Sequence, residues 1–143
     1  MLARRLQSAD RAPLATRLST GYISGWRFAC NKIGKDDSGK GNIEQTNLVS
    51  DCVHGVIYDV SPSDKRLLDA AESLGVGYDE GELHVTTDDG DVPAFTYIAK
   101  RKDDALQSFG WYRALIVAGA IENNLPRDYI VGLQAMSVCE DPD

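Results

Sequence analysis

The stretch Val53-His-Gly-Val-Ile-Tyr-Asp-Val60, followed by Ser61-Pro-Ser-Asp-Lys-Arg-Leu-Leu-Asp-Ala-Ala-Glu72, decides how the chain folds. Its first half places apolar residues at 53, 56, 57, 58 and 60 and reads as a buried strand. Its second half opens a helix. Ser61 caps, Pro62 suits the first helical position, and Asp64 falls three residues after the cap. Leu67, Leu68, Ala71 and Leu74 then form an apolar stripe, and Gly75 or Gly77 can end the helix in a left-handed conformation.

Outward from this unit the pattern continues to alternate. Upstream, Tyr22 to Cys30 has strand character, and Ile33 to Gly41, rich in Gly, Lys, Asp and Ser, reads as a surface loop. Leu2 to Ser8 reads as a short helix docked by Leu2 and Leu6. Downstream, Glu82–Thr87 and Val92–Ala99 alternate as strands around the turn residues Asp88-Asp-Gly-Asp91, forming a hairpin. A helix is expected from Ser108 to Ile121, and Pro126 starts another through Tyr129, Ile130 and Leu133. Hairpins dominate over parallel crossovers, so the expected fold is α+β, with an antiparallel or barrel-like sheet in a single domain spanning 1–143.

Composition excludes several functions. The net charge of −7 and pI of about 4.7 argue against nucleic-acid binding, which needs a basic footprint. No apolar run approaches the roughly 18 residues of a membrane span; Leu115 to Ala120 is the longest and contains Gly119. Arg4 and Arg5 have no apolar run behind them, as a secretory signal would require. Cys30, Cys52 and Cys139 are odd in number and lack metal-like spacing, which suggests reduced thiols and a cytoplasmic location. His54 and His84 both fall in strand-like runs and read as structural.

The candidate for chemistry is Glu72. It lies four residues after Leu68, on the border of the apolar stripe, where a carboxylate is partly desolvated. Asp69, one turn earlier, lies nearer solvent. Spacing alone leaves Glu72 a surface group near a helix end, as most such glutamates are.

A resemblance adds to this. Leu67-Leu-Asp-Ala-Ala-Glu72 followed by Gly75-Val-Gly-Tyr78 resembles the L-D-x-x-E-G … Y signature of gamma-glutamylcyclotransferases. Val53-His-Gly-Val-Ile-Tyr58 is similar to the strand before that signature. Lys32-Ile-Gly-Lys-Asp-Asp-Ser-Gly-Lys-Gly-Asn-Ile43 is similar to a K-x-S-x-D-G-S-G-K-A-N-I loop of bacterial members. Thr96-Tyr-Ile-Ala99 resembles the strand closing the hairpin. Trp111-Tyr112 through Gly119-Ala-Ile-Glu122-Asn-Asn-Leu-Pro-Arg-Asp-Tyr129 is similar to a later helical block. The blocks occur in family order over nearly the whole chain.

The resemblance implies a mixed, mostly antiparallel barrel flanked by helices, and an enzyme that needs no metal or organic cofactor. Its substrate would be a small γ-glutamyl compound: a γ-glutamyl amino acid, a γ-glutamylamine or a glutathione-like peptide. The α-amine of the glutamyl group attacks its own γ-carbonyl, giving 5-oxoproline and a free amine or amino acid. Glu72 stands in the acid/base position, and Tyr112 and Tyr78 match positions that line the substrate pocket. Tyr97 reads as core and Glu122 as structural. The runner-up is a non-catalytic member that binds a metabolite or a protein.

Departures from the pattern shape the expectations. Family enzymes begin with a strand ending in Y-G-S-N-M or Y-G-S-N-L, whose backbone N–H groups cradle the glutamyl end. Here Met1-Leu-Ala-Arg-Arg-Leu6 resembles the stretch starting at that motif's last residue. The expectation is an internal start, with the strand and loop encoded upstream. Ser73 replaces a glycine after the glutamate, and Ser108-Phe-Gly-Trp111 replaces a proline-containing approach to Tyr112.

Overall fold

The computed structural model describes residues 3–142. In order, it contains α1 (Ala3–Leu6), β1 (Thr16–Ser24), β2 (Trp26–Ile33), β3 (Gly39–Gln45), β4 (Cys52–Asp59), α2 (Pro62–Ala71), β5 (Tyr78–Thr87), β6 (Gly90–Ala99), β7 (Ser108–Phe109), α3 (Gly110–Glu122), α4 (Arg127–Gln134) and β8 (Val138–Cys139). The unit β4–α2 forms as its pattern dictates. Ser61 Oγ accepts the Asp64 N–H at 3.2 Å, and Pro62 occupies the first turn.

Tyr22 to Cys30, expected as one strand, is two. Gly25 adopts φ 81°, a left-handed conformation open to glycine, and turns the chain between β1 and β2. The two strands therefore have different partners. β1 pairs antiparallel with β4, from Thr16 opposite Asp59 to Ser24 opposite Cys52. β2 pairs antiparallel with β3. The expected loop 33–41 is shorter than its composition suggests, because Gly39 to Gly41 already belong to β3.

β5 and β6 make the expected hairpin, with Asp88 and Asp89 in its turn and Gly90 at φ 106°. β1 meets β5 at one pair, Tyr22 opposite Thr86, giving the sheet order β4-β1-β5-β6. Gly21 permits that approach: a Cβ there would lie 2.5 Å from Val85 Cγ1. The β2–β3 ladder spans the open side, with β2 against β4 and β3 against β6. Asn42 Oδ1 accepts the Ala99 N–H at 2.9 Å and ties β3 to β6. Six antiparallel strands thus surround an interior, in the barrel-like α+β arrangement that the sequence suggests.

Leu6, Ala12, Ala15 and Leu68 are buried together where β1 begins and β4 ends, with Tyr58, Val60, Phe95 and Tyr97 packed on them. Beyond this cluster the interior is open, a cavity of about 900 Å³ bounded by the faces of β1, β4, β5 and β6.

Two expectations for α2 are corrected. The helix stops at Ala71 rather than running to Leu74, because Ser73 takes φ 51° and turns the chain out of the helix. The apolar stripe narrows accordingly. Leu68 is buried, whereas Leu67 and Leu74 are 42% and 40% exposed. α3 starts later than expected because Ser108 and Phe109 form β7, which pairs in parallel with β8 near the carboxyl end. Leu6 docks α1 as expected, and Leu2 lies outside the described residues. No helix among the described residues is long and apolar enough to cross a membrane.

Candidate active site

The early stop of α2 gives Glu72 its position. It is the C-cap residue, at φ −88° and ψ 1°, and its N–H reaches back to Leu68 O at 2.9 Å. Its side chain leaves the helix at the edge of the barrel cavity, beside Leu6, Leu68 and Tyr97, and is only 18% exposed. The border position read from its spacing to Leu68 is therefore the position it takes.

The partner of Glu72 is Arg11. Arg11 Nη1 donates to Glu72 Oε1 at 3.0 Å, and the arginine side chain is 19% exposed. The segment bearing Arg11 is held at several points. Its own N–H bonds to Ser8 O at 3.0 Å, Ala12 N–H to Leu6 O at 2.9 Å, and Leu14 N–H to the buried carboxylate of Asp64 at 2.7 Å. Asp64 thus serves the segment before β1 rather than closing a capping box on Ser61. Because Asp64 lies in the first turn of α2 and Glu72 caps its end, the helix fixes the Arg11 turn at one end and meets its guanidinium at the other.

Tyr78 and Tyr112 converge on one residue, Gly41. Tyr78 Oη donates to Gly41 O at 2.8 Å, while Gly41 N–H donates to Tyr112 Oη at 2.8 Å. The β2–β3 register explains this. Ala29 faces Asn42 and Lys32 faces Lys40, so Gly41 stands alone opposite Cys30 and Asn31, at a bulge. The two hydroxyls serve its backbone groups there. Tyr112 keeps its own proton for donation, because it accepts from Gly41; Tyr78 donates its proton to Gly41.

Burial pushes the Tyr78 hydroxyl well above the ordinary phenol range, and nearby Tyr112 and Glu72 push it further. Burial also raises Tyr112, with Gly41 N–H opposing and Cys30 and Glu72 adding to the rise. Both tyrosines are therefore neutral donors or acceptors near neutral pH. They lie within the electrostatic reach of Glu72, yet neither bounds the barrel cavity.

Other charged groups near α2 have defined partners. Asp69 accepts from Tyr97 Oη at 2.5 Å and from Lys65 Nζ at 2.6 Å. Burial works against its ionisation, but Lys65 and Tyr97 outweigh it and hold its carboxyl low. Lys65 also pairs with Glu80. Tyr97 packs on the core, as read from its strand. Glu122 accepts the Ala3 N–H at 3.0 Å, a structural contact. The His54 ring packs between Tyr22 and Tyr129.

The sequence pointed to Glu72, Tyr78 and Tyr112 as candidates and did not single out Arg11 or Gly41, which the structure places against them. Arg11 lies in a turn, 61 positions from its partner, and no periodicity marks it.

The fold matches known architecture. A solved structure of a gamma-glutamyl cyclotransferase superposes with a TM-score of 0.89 at 21% identity, covering 99% of this chain and 85% of that one. The crystal structure of an uncharacterized Homo sapiens protein superposes with a TM-score of 0.84 at 23% identity, covering 93% of this chain and 81% of that one. At these identities the likeness is one of fold. No curated protein sequence matches the chain. The model of the AIG2-like family matches residues 52–133, more than half of the sequence, and the chain belongs to that family. The matched region contains β4, Glu72, Tyr78 and Tyr112; Arg11 and Gly41 precede it.

Proposed function

We propose that the protein is a gamma-glutamylcyclotransferase with Glu72 as its general acid and base, acting on a small γ-glutamyl substrate. The observation that carries this reading is a shielded carboxylate, paired with Arg11, at the lip of a cavity and within the electrostatic reach of two neutral tyrosine hydroxyls. Membership of the AIG2-like family and the fold of a gamma-glutamyl cyclotransferase support it.

The reaction suits one carboxylate. The nucleophile and the carbonyl belong to the same molecule, so holding the folded conformer supplies much of the rate. Glu72 takes one proton from the α-ammonium, and the freed amine attacks the γ-carbonyl carbon. Glu72 returns the proton to the departing nitrogen as its bond to that carbon breaks. The second proton on the ring nitrogen follows through Glu72 to the released amine. The products are 5-oxoproline and an ammonium. Tyr112, with a proton still available, can donate to an oxygen of the substrate.

Glu72→Gln tests the assignment. It preserves shape and the contact with Arg11 but cannot accept a proton. Release of 5-oxoproline from γ-glutamyl amino acids is expected to fall by at least about a hundredfold, with the melting temperature retained. A folded variant that turns over at the rate of the parent would refute the role.

A further inference from the structure

We propose that Arg11 selects substrates by receiving the α-carboxylate of the γ-glutamyl group, making it a specificity-determining residue of this site. This inference rests on the reading of Glu72 as the group that receives the α-amine's proton.

The geometry supplies the argument. Arg11 Nη1 gives one N–H to Glu72 Oε1, and the rest of its planar fork has no partner among the described residues. A guanidinium presents five N–H groups and suits two carboxylates side by side. In an α-amino acid the ammonium and the carboxylate share one carbon. An amine seated on Glu72 therefore brings its carboxylate within reach of a guanidinium that already touches Glu72. The four charges then alternate in sign: guanidinium, Glu72, ammonium and α-carboxylate.

Shielding strengthens the case. Arg11 and Glu72 are each less than one-fifth exposed, so salt and water screen their charges weakly. Before substrate binds, Glu72 compensates the shielded guanidinium. Once the ammonium passes its proton to Glu72, the α-carboxylate takes over that compensation.

Three neighbouring lysines have other places. Lys65 bridges Asp69 and Glu80. Lys40 pairs with Asp36 at 2.9 Å and lies over the rings of Trp111 and Tyr112. Lys32 lies 5.1 Å above the Tyr78 ring. Arg11 alone among the cations of the described residues forms an ion pair with Glu72.

The test compares γ-glutamylalanine with the analogue in which the glutamyl α-carboxylate is a carboxamide, which keeps the amine, the γ-linkage and the alanine carboxylate but loses that one charge. Turnover and calorimetric binding of both would be measured on the full chain and on Arg11→Gln and Arg11→Lys. The parent is expected to favour the carboxylate. Arg11→Gln should lose roughly ten- to hundredfold more for the carboxylate than for the carboxamide. Arg11→Lys, which keeps the charge without the fork, should show an intermediate preference and serves if the glutamine variant does not fold. Retained preference in Arg11→Gln, or equal losses for both compounds, would overturn the proposal, since a residue that only props Glu72 would affect both alike. Selective, Arg11-dependent binding without 5-oxoproline release would sink the reaction and leave Arg11's role standing. Release without such selectivity would do the reverse, and absence of both binding and release would defeat both.

Discussion

Removing the hydroxyl of Tyr78 or Tyr112 separates a structural clamp from a substrate contact. Each hydroxyl lies 2.8 Å from a backbone group of Gly41, at the β2–β3 bulge where no opposite residue stands in register. Tyr78→Phe leaves the Gly41 carbonyl without its donor, and Tyr112→Phe leaves the N–H without its acceptor. A partly buried group left unpaired costs about 1–2 kcal/mol. For a chain of this length that is a fall in melting temperature of about 3–6 °C. The double variant should lose less than the sum, by about 0.5–1 kcal/mol, because both hydroxyls hold the same residue. Thermal and urea unfolding of the four proteins read these values directly. The kinetic arm divides the pair: Tyr112 retains a proton to donate, so Tyr112→Phe should also lower kcat/KM by about tenfold, while Tyr78→Phe changes it by less than about threefold. Two single variants that both melt within about 1 °C of the parent would refute the clamp. A larger kinetic loss at Tyr78 than at Tyr112 would refute the division of roles.

Two further outcomes follow from the same contacts. Ser73 sits at φ 51°, so Ser73→Gly relieves a left-handed conformation and should stabilise the protein by about 0.5–1 kcal/mol; a lower urea midpoint at unchanged slope would contradict this. Glu44 bonds to Lys102 at 2.8 Å, Arg27 at 2.7 Å and Asn31 at 2.5 Å, and these hold its carboxyl at about 2 against an ordinary 4.5. The unfolded chain therefore takes up that proton first. The contribution of Glu44 is full above about pH 4.5 and is lost as pH falls towards 2. Because Arg27 and Lys102 are half exposed, the contribution is about 1–2 kcal/mol. Glu44→Gln should be less stable than the parent at pH 7 and equal to it near pH 2; a pH-independent difference in urea unfolding would disprove the assignment.

Local signals carried the reading of β4 and α2, because each reports on its own element. The apolar run from Val53 needs only the alternation of a buried strand, and Ser61-Pro62 needs only the unpaired N–H groups of a first helical turn. The same locality placed Glu72 on the rim of the buried face, by its distance from Leu68, but only the resemblance of the surrounding residues to a family signature singled it out for chemistry. It also misled: Ser73 was legible as a departure from a pattern, but not as the residue that ends α2 and releases Leu74 to solvent.

By itself, then, the sequence determined the β4–α2 unit, the β5–β6 hairpin and the acidic composition, and a resemblance pointed to the carboxylate on which the proposed chemistry rests. Tertiary structure alone decided that Gly25 would split one apparent strand between two ladders, that Arg11 would reach Glu72, and that two tyrosines would meet on Gly41. Those contacts join residues 61, 37 and 71 positions apart. Periodicity within one helix or strand carries no information about which turn or strand will come to lie beside it. That is settled only when the β2–β3 ladder packs against the four-stranded sheet and brings them together.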